Sequence, residues 1–125
     1  MTLFDTNVLI DYWRKPEELL KLNITPETYA ICGAVKTELL HGARDDDEVD
    51  RMLGFFNSFK LLFTDEYDYE MTGLLLNTLR RNGIQVPTMD AFIAFTALKY
   101  DAELWTKDKH FDLIQSIYPE LKLRK

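Results

Sequence analysis

Short apolar runs alternate along the chain with longer segments in which apolar residues recur at helical spacing. The runs predict strands over residues 2–4, 29–32, 60–63, 103–106 and 121–123. The segments between them predict helices over residues 8–13, 16–22, 34–43, 45–56, 66–81 and 91–98, with a helical turn at 108–113. Because strands and helices alternate, we expect a parallel sheet covered by helices on both faces.

Polar residues, prolines and glycines mark the ends of these helices. Residues 5–7 form a cap region for the first helix, and Pro16 suits the first position of the second. Asn82 and Gly83 end the long helix, and Thr88 is expected to cap the apolar helix that follows. That last helix is apolar on most faces, which predicts that it lies inside the domain.

Composition narrows the class of protein. A chain of 125 residues that is 46% apolar and 13% aromatic predicts one globular domain over residues 1–125. No apolar run approaches the length of about 18 residues needed to span a membrane, and the N terminus has no signal-peptide pattern. Cys32 is the only cysteine and lies among apolar residues, so we expect a buried, inert thiol and a cytoplasmic setting.

The net charge of −6, from 21 acidic and 15 basic residues, leans against a nucleic-acid partner. If RNA is the substrate, the excess acid must be concentrated in a pocket where bound cations neutralise it. The basic residues must then form rims around that pocket, and the candidates are Arg14, Lys15, Arg80, Arg81, Lys107 and Lys109.

Four acids are placed where sites form in parallel sheets, at the carboxyl ends of the strands. Asp5 ends the first strand, Asp108 follows the fourth, and Asp90 lies in the first turn of the apolar helix. Glu38 lies in the helix after the second strand, on or beside its apolar side, where an unpaired carboxylate is costly to bury. We therefore expect the four carboxylates to converge.

Converging carboxylates repel one another, and a divalent cation offsets that repulsion. Oxygen ligands of this kind favour Mg²⁺ or Mn²⁺ over Zn²⁺. Each aspartate also has an ordinary explanation as a helix cap or first-turn acid, and Glu38 could pair with a basic side chain. His110 could touch substrate or be structural, and Asp11 is better explained as solvated or capping. The residue types alone leave these alternatives open.

Four sequence blocks resemble those of PIN domains, and they occur in the family's order across nearly the whole chain. The blocks are Asp5-Thr6-Asn7-Val8-Leu9-Ile10-Asp11, Thr37-Glu38-Leu39-Leu40-His41-Gly42-Ala43, Asp90-Ala91-Phe92-Ile93-Ala94 and Thr106-Lys107-Asp108-Lys109-His110-Phe111. The last block has histidine at a position where many members have a second aspartate. The compact length resembles that of the VapC-type toxins of prokaryotic toxin–antitoxin pairs.

This resemblance implies a Rossmann-like PIN fold, an α/β architecture with a short central parallel sheet of four to five strands flanked by helices. It also implies a homodimer, a co-expressed antitoxin, and Mg²⁺- or Mn²⁺-dependent endonucleolytic cleavage of RNA. By position, Asp5, Glu38, Asp90 and Asp108 correspond to the metal-binding acids. Asn7 and Thr106 correspond to residues that orient the site.

The resulting hypothesis is hydrolysis of RNA phosphodiesters by metal-activated water, with one or two ions. Possible substrate contacts are Lys107, Lys109, His110, Arg80 and Arg81. One alternative is a catalytically silent PIN-like module that binds RNA or protein. A phosphoacceptor receiver domain is a poorer match because Asp5 has no acidic neighbour, and no glycine-rich loop indicates a nucleotide-binding domain.

Overall fold

A single parallel sheet organises the chain, which the computed structural model describes over residues 1–125. The strands are β1 (Thr2–Phe4), β2 (Tyr29–Cys32), β3 (Lys60–Leu62), β4 (Glu103–Trp105) and β5 (Lys122–Arg124). The helices are α1 (Thr6–Trp13), α2 (Pro16–Lys21), α3 (Gly33–His41), α4 (Asp46–Phe56), α5 (Glu66–Arg81), α6 (Thr88–Lys99) and α7 (His110–Ile117). The predicted α/β class and parallel sheet are confirmed, with five strands.

The strand order is β3-β2-β1-β4-β5, and every neighbouring pair is parallel. β1 is therefore central, with β2 on one side and β4 on the other. After β1 the chain adds β2 and β3 on one side of this strand, and it later adds β4 and β5 on the other side. Where the strand order reverses in this way, a crevice forms at the carboxyl ends of the strands. Asp5 stands at this crevice, where its backbone N–H extends the ladder by donating to the carbonyl of Trp105 at 2.9 Å.

Apolar side chains from the central strands and α6 form the core. Leu3, Ile31, Leu104 and Ile93 are fully buried. Burial of each such side chain contributes about 1.5–3 kcal/mol. The expectation that the apolar helix lies inside the domain is confirmed, because six residues of α6 are buried. Cys32 is also buried, as expected, and burial raises the pKa of its thiol.

Two local predictions are wrong. Thr88 does not cap α6; it is the first helical residue, and Pro87 precedes the helix without a side-chain cap. The Pro87 carbonyl accepts the Ala91 N–H at 3.2 Å and so begins the helical bonding. In place of the expected helical turn at 108–113 there is a helix that continues to Ile117. It continues because Phe111 and Ile114, one turn apart on the same side, are both buried in the core.

Helices α5 and α6 form an antiparallel hairpin. The Lys99 ammonium near the end of α6 donates to Asp68 near the start of α5 at 2.6 Å. Residues 82–87 connect the other ends, so Arg80 and Arg81 lie at the same end of the hairpin as Asp90. None of the helices has the length and apolar character needed to cross a bilayer.

Candidate metal centre at the carboxyl edge of the sheet

Asp5 forms the floor of the candidate site. It is 4% exposed, and its position as the cap of α1 follows directly from the end of β1. Oδ1 accepts the backbone N–H of Thr6 at 2.8 Å, and Oδ2 accepts the hydroxyl of Thr106 at 2.6 Å. Both oxygens are thus held by donors from the two adjoining strand ends, which fixes the orientation of the carboxylate.

Glu38 reaches the same place from α3. Its Oε1 accepts the hydroxyl of Thr6 at 2.6 Å, a hydrogen bond between residues 32 positions apart. Thr6 therefore contacts two of the acids, through its backbone N–H to Asp5 and through its side chain to Glu38. The carboxylate of Glu38 makes no ion pair with a lysine or arginine.

Thr106 connects Asp5 to Asp108. Its buried hydroxyl donates to Asp5 and accepts the backbone N–H of Asp108 at 2.9 Å. Oδ1 of Asp108 in turn accepts the backbone N–H of His110 at 2.9 Å. The segment after β4 is thus a compact turn whose polar groups face the end of β1.

Asp90 and His110 complete the cluster. The imidazole Nδ1 of His110 lies 2.9 Å from Oδ2 of Asp90 and 3.2 Å from Oδ1 of Asp108. When both neighbouring carboxylates are ionised they only accept, and this nitrogen then carries the proton. One ligand atom from each of Asp90, Asp108 and His110 lies within 4.8 Å of the other two.

Burial and mutual repulsion dominate the electrostatics of the site. Burial, opposed by its hydrogen bonds and reinforced by Asp90 and Asp108, raises the pKa of Asp5 from 3.8 to about 6. Burial also raises the pKa of Asp90, despite the hydrogen bond from His110. The bond to Asp90 raises the pKa of His110. The folded chain therefore concentrates negative charge in a place where ionised carboxylates are penalised.

This donor set fits a divalent cation. Carboxylate oxygens from four parts of the chain lie around one crevice, and the only basic side chain bonded to them is His110. Hard oxygen ligands suit Mg²⁺ and Mn²⁺, and an added positive charge would relieve the penalty that raises the pKa values of Asp5 and Asp90. Of the four acids singled out in the sequence, Asp90 and Asp108 share one cluster of ligand atoms with His110. Asp5 is linked to Asp108 through Thr106, and Glu38 is linked to Asp5 through Thr6.

Asn7 and the predicted basic rim have different surroundings. Oδ1 of Asn7 accepts the backbone N–H of Lys107 at 3.4 Å, so Asn7 supports the segment after β4. The Lys107 ammonium pairs with Asp11 on α1, whereas Lys109 is exposed and makes no ion pair. Arg80 and Arg81 are exposed at the end of α5, and the structure records no contact between them and the acids.

Sequence reasoning missed the role of Thr6 and underrated His110. Thr6 lies inside the first PIN-like block, but no spacing rule indicates that its hydroxyl meets a glutamate 32 positions away. His110 was expected to be structural or a substrate contact, and in the structure it links Asp90 with Asp108. The signal available was its position in the fourth block, where many PIN domains have an acid.

Comparison with known proteins agrees with this geometry. Residues 2–116 match the PIN domain family. Ribonuclease VapC1 of Methanocaldococcus jannaschii is 31% identical over 90% of this chain and 80% of its own length. Ribonuclease VapC11 of Mycobacterium tuberculosis is 26% identical over 94% of this chain and 93% of its own.

Solved structures share the fold over their whole length. A chain of the DNA-bound VapBC of Salmonella typhimurium has a TM-score of 0.78 at 25% identity and covers 98% of this chain and 96% of its own. A chain of a toxin–antitoxin complex from Klebsiella pneumoniae has a TM-score of 0.74 at 23% identity and covers 100% of this chain and 97% of its own length. With the fold, the ordered blocks and the converging acids, these matches lead to one conclusion: the chain belongs to the PIN-domain family and, within it, to the VapC ribonucleases.

Proposed function

We propose that this VapC ribonuclease is a Mg²⁺- or Mn²⁺-dependent endoribonuclease, the toxin of a toxin–antitoxin pair. The observation that carries the metal dependence is the convergence of Asp5, Glu38, Asp90 and Asp108 in one crevice with a single imidazole as their basic partner. Such a cluster is costly for the folded protein unless it binds cations. The arrangement therefore favours a catalytic role over structural capping.

The chain's own residues hold the site ready for the cation. The Thr106 hydroxyl and the Thr6 backbone N–H each hold one oxygen of Asp5. The Thr6 hydroxyl holds Glu38. The backbone N–H of His110 holds one oxygen of Asp108. A bound divalent cation supplies water activation at neutral pH and offsets charge on the scissile phosphate and leaving oxygen. The fixed carboxylates limit reorganisation during the reaction. No histidine general base is required.

The substrate approaches past a rim that is partly basic. Lys109 and His110 adjoin Asp108 in the chain, and Arg80 and Arg81 lie at the same end of the α5–α6 hairpin as Asp90 without contacting it. We assign these side chains, with Lys107, to contacts with RNA phosphates. Such contacts concentrate positive charge locally and offset the overall charge of −6.

A catalytically silent PIN-like module is the alternative function. It needs neither four acids nor the threonines that orient them, and the structure has both. A calorimetric titration distinguishes the two: we expect Mn²⁺ binding by the natural protein and much weaker binding by Asp5→Asn. Absence of Mn²⁺ binding would favour the silent module.

The proposed antitoxin-binding surface lies on α1 and α4. The partly exposed rings of Trp13 and Phe55 pack at 5.1 Å there, with the Arg51 guanidinium 5.6 Å from Trp13. Tyr12 is partly exposed as well, whereas the neighbouring Phe56 is buried in the core and is not available to a partner. We propose that an apolar antitoxin segment covers this surface and places a basic side chain at the acids. We also propose that the two proteins meet in the cytoplasm.

For the homodimer we propose the outer face of α5. Tyr67 and Leu74 are 62% and 60% exposed and lie two helical turns apart on one side. Exposed apolar side chains aligned in this way favour burial against a second copy. Sedimentation velocity of the natural protein and of Leu74→Glu tests the assignment, since a charge there is expected to shift the equilibrium to monomer.

The proposed function is tested by RNA cleavage in vitro and in cells. Purified protein is expected to cleave RNA with Mg²⁺ or Mn²⁺, and cleavage should stop with EDTA or with Asp5→Asn or Asp90→Asn. Asp46→Asn, an exposed acid in the first turn of α4, is the matched control and should cleave normally. Mapping RNA ends after induction, with Asp5→Asn alongside, identifies the RNA that is cut. Cleavage that survives EDTA or both site variants contradicts the proposal.

A further inference from the structure

A cleft of about 370 Å³ lies beside the acidic site and has no part in holding the acids. It is bounded by the first turns of α3, the end of the edge strand β3 and one side of α6. Thr37 and Met89 line it, and each immediately precedes one of the acids, Glu38 and Asp90. The cleft therefore adjoins the two helix segments that carry these acids.

The charge of the cleft differs from that of the rest of the protein. No aspartate or glutamate lines it, although the chain has 21 of them, and Lys36 is its only charged lining residue. The Lys36 ammonium forms no ion pair; it lies 5.7 Å from the centre of the Phe56 ring. An anionic ligand can therefore use this charge without breaking an ion pair, although the ammonium must leave the Phe56 ring, which lies outside the cleft lining.

Aromatic rings supply the other half of the chemistry. Phe63 is 73% exposed, and its backbone is held by a 3.2 Å hydrogen bond from the Tyr100 hydroxyl to its carbonyl. Tyr69 is 56% exposed and packs edge-on against Phe92, with ring centres 5.0 Å apart. Exposed, supported aromatic rings beside a positive charge are the surface on which single-stranded nucleic acids stack their bases.

We propose that this cleft is a nucleotide subsite for single-stranded RNA, next to the scissile phosphate. An unstacked base packs against Phe63 and Tyr69, and Lys36 contacts the adjoining phosphate. The inference rests on the proposed function, because it places the RNA in continuity with Glu38 and Asp90. It adds that the substrate must be locally unstacked and single-stranded, since a base inside a duplex has both faces covered by its stacked neighbours.

The test is fluorescence anisotropy with a fluorescein-labelled, mixed-sequence, short single-stranded RNA in EDTA, so that binding is measured without cleavage. Phe63→Leu removes the ring but keeps an apolar side chain, and Phe63→Trp restores a ring. We expect affinity to fall on the order of 10-fold for Phe63→Leu and to be retained by Phe63→Trp. Lys36→Gln should weaken binding and reduce the salt slope by about 1. Leu20→Ser and Lys60→Gln, exposed and outside the cleft, are the controls and should bind normally.

Photo-crosslinking with 4-thiouridine RNA gives a second readout, with crosslinks expected on the peptides that contain Phe63 or Tyr69. The inference is overturned if Phe63→Leu binds like the natural protein, or if crosslinks form only elsewhere. It is also overturned if Phe63→Leu turns a dimer into a monomer in sedimentation and Phe63→Trp gives no rescue, because a second copy then covers the cleft. If the natural protein cleaves RNA while the cleft variants bind normally, this inference fails alone; if it neither cleaves nor binds RNA, the proposed function fails too.

Discussion

Replacing Asp5 by asparagine should make the metal-free protein more stable while it removes activity. The carboxylate is buried, and its pKa is raised from 3.8 to about 6. At pH 7 the folded protein therefore contains an ionised group that folding disfavours. Asparagine has nearly the same shape, keeps an oxygen for the Thr6 N–H, and carries no charge.

The magnitude follows from the size of the pKa change. A rise of about two units at about 1.4 kcal/mol per unit lowers the free energy of unfolding by about 3 kcal/mol when the group is ionised. Asparagine loses the charge-assisted bond from Thr106, which offsets about 1 kcal/mol or more. We expect a net gain of about 1–2 kcal/mol, or a rise in Tm of about 3–8 °C for a chain of this length.

The sign depends on pH. Unfolded Asp5 ionises near 3.8, whereas folded Asp5 keeps its proton until about pH 6, so the folded state holds the extra proton between these values. The contribution of Asp5 to stability is therefore favourable at low pH and is lost as the pH rises towards 6. Asparagine has no such dependence. The stability difference between the two proteins should be small near pH 4 and largest at pH 7 and above.

The assay is urea unfolding followed by circular dichroism in EDTA, for the natural protein and Asp5→Asn across this pH range. Adding Mn²⁺ at neutral pH should stabilise the natural protein and leave the variant nearly unchanged, since a ligand that binds only the folded state adds RT ln(1 + [L]/Kd). The reasoning is refuted if Asp5→Asn is the less stable protein at pH 7, or if the difference does not change with pH.

Three further predictions concern the neighbours of Asp5. Thr106→Val should lower Mn²⁺ affinity, measured by calorimetry, and the initial rate of RNA cleavage about 10–100-fold. Thr106→Ser keeps the hydroxyl and should restore most of both. An equal loss in the two variants would contradict a role for the hydroxyl. Asp108→Asn should be milder than Asp90→Asn in cleavage assays, because the Asp108 side chain is 33% exposed and that of Asp90 is 12% exposed. An equal loss in these two acid variants would contradict this. The bond from His110 to Asp90 stabilises the metal-free fold when the imidazole is protonated, so the stability gap to His110→Ala should shrink as the pH rises above 6.5, and a pH-independent gap in urea unfolding would count against it.

The elements that could be predicted closely have strong local signals. Helix α5 has the predicted bounds because Asp65 and Asp68 form a capping box at its start and Gly83, with φ of +78°, follows its end. Thr88 was predicted to cap α6 but is its first residue, because the cap residue is Pro87, which contributes a backbone carbonyl and no side-chain cap. Local sequence thus predicts a helix boundary well only where the local residues themselves make the cap.

The site was predictable in position but not in its bonding. Asp5 and Asp108 follow neighbouring strands, so a parallel sheet brings them to one edge whatever the details. The hydrogen bond from Thr6 to Glu38 depends on how α3 packs beside α1, and the position of His110 depends on how α7 meets α6. Such contacts arise from tertiary packing, and no periodicity in a single sequence encodes them.

The bond between Thr106 and Asp5 joins residues 101 positions apart. Until β4 lies beside β1, Asp5 lacks one of the two donors that orient it, and Asp108 has not yet been placed. A ribosome that has produced most of the chain therefore carries a partly folded protein without a complete site. Under the proposed function, cleavage of RNA requires that β4 has docked against β1, so a nascent chain without residues 106–108 is expected to be inactive.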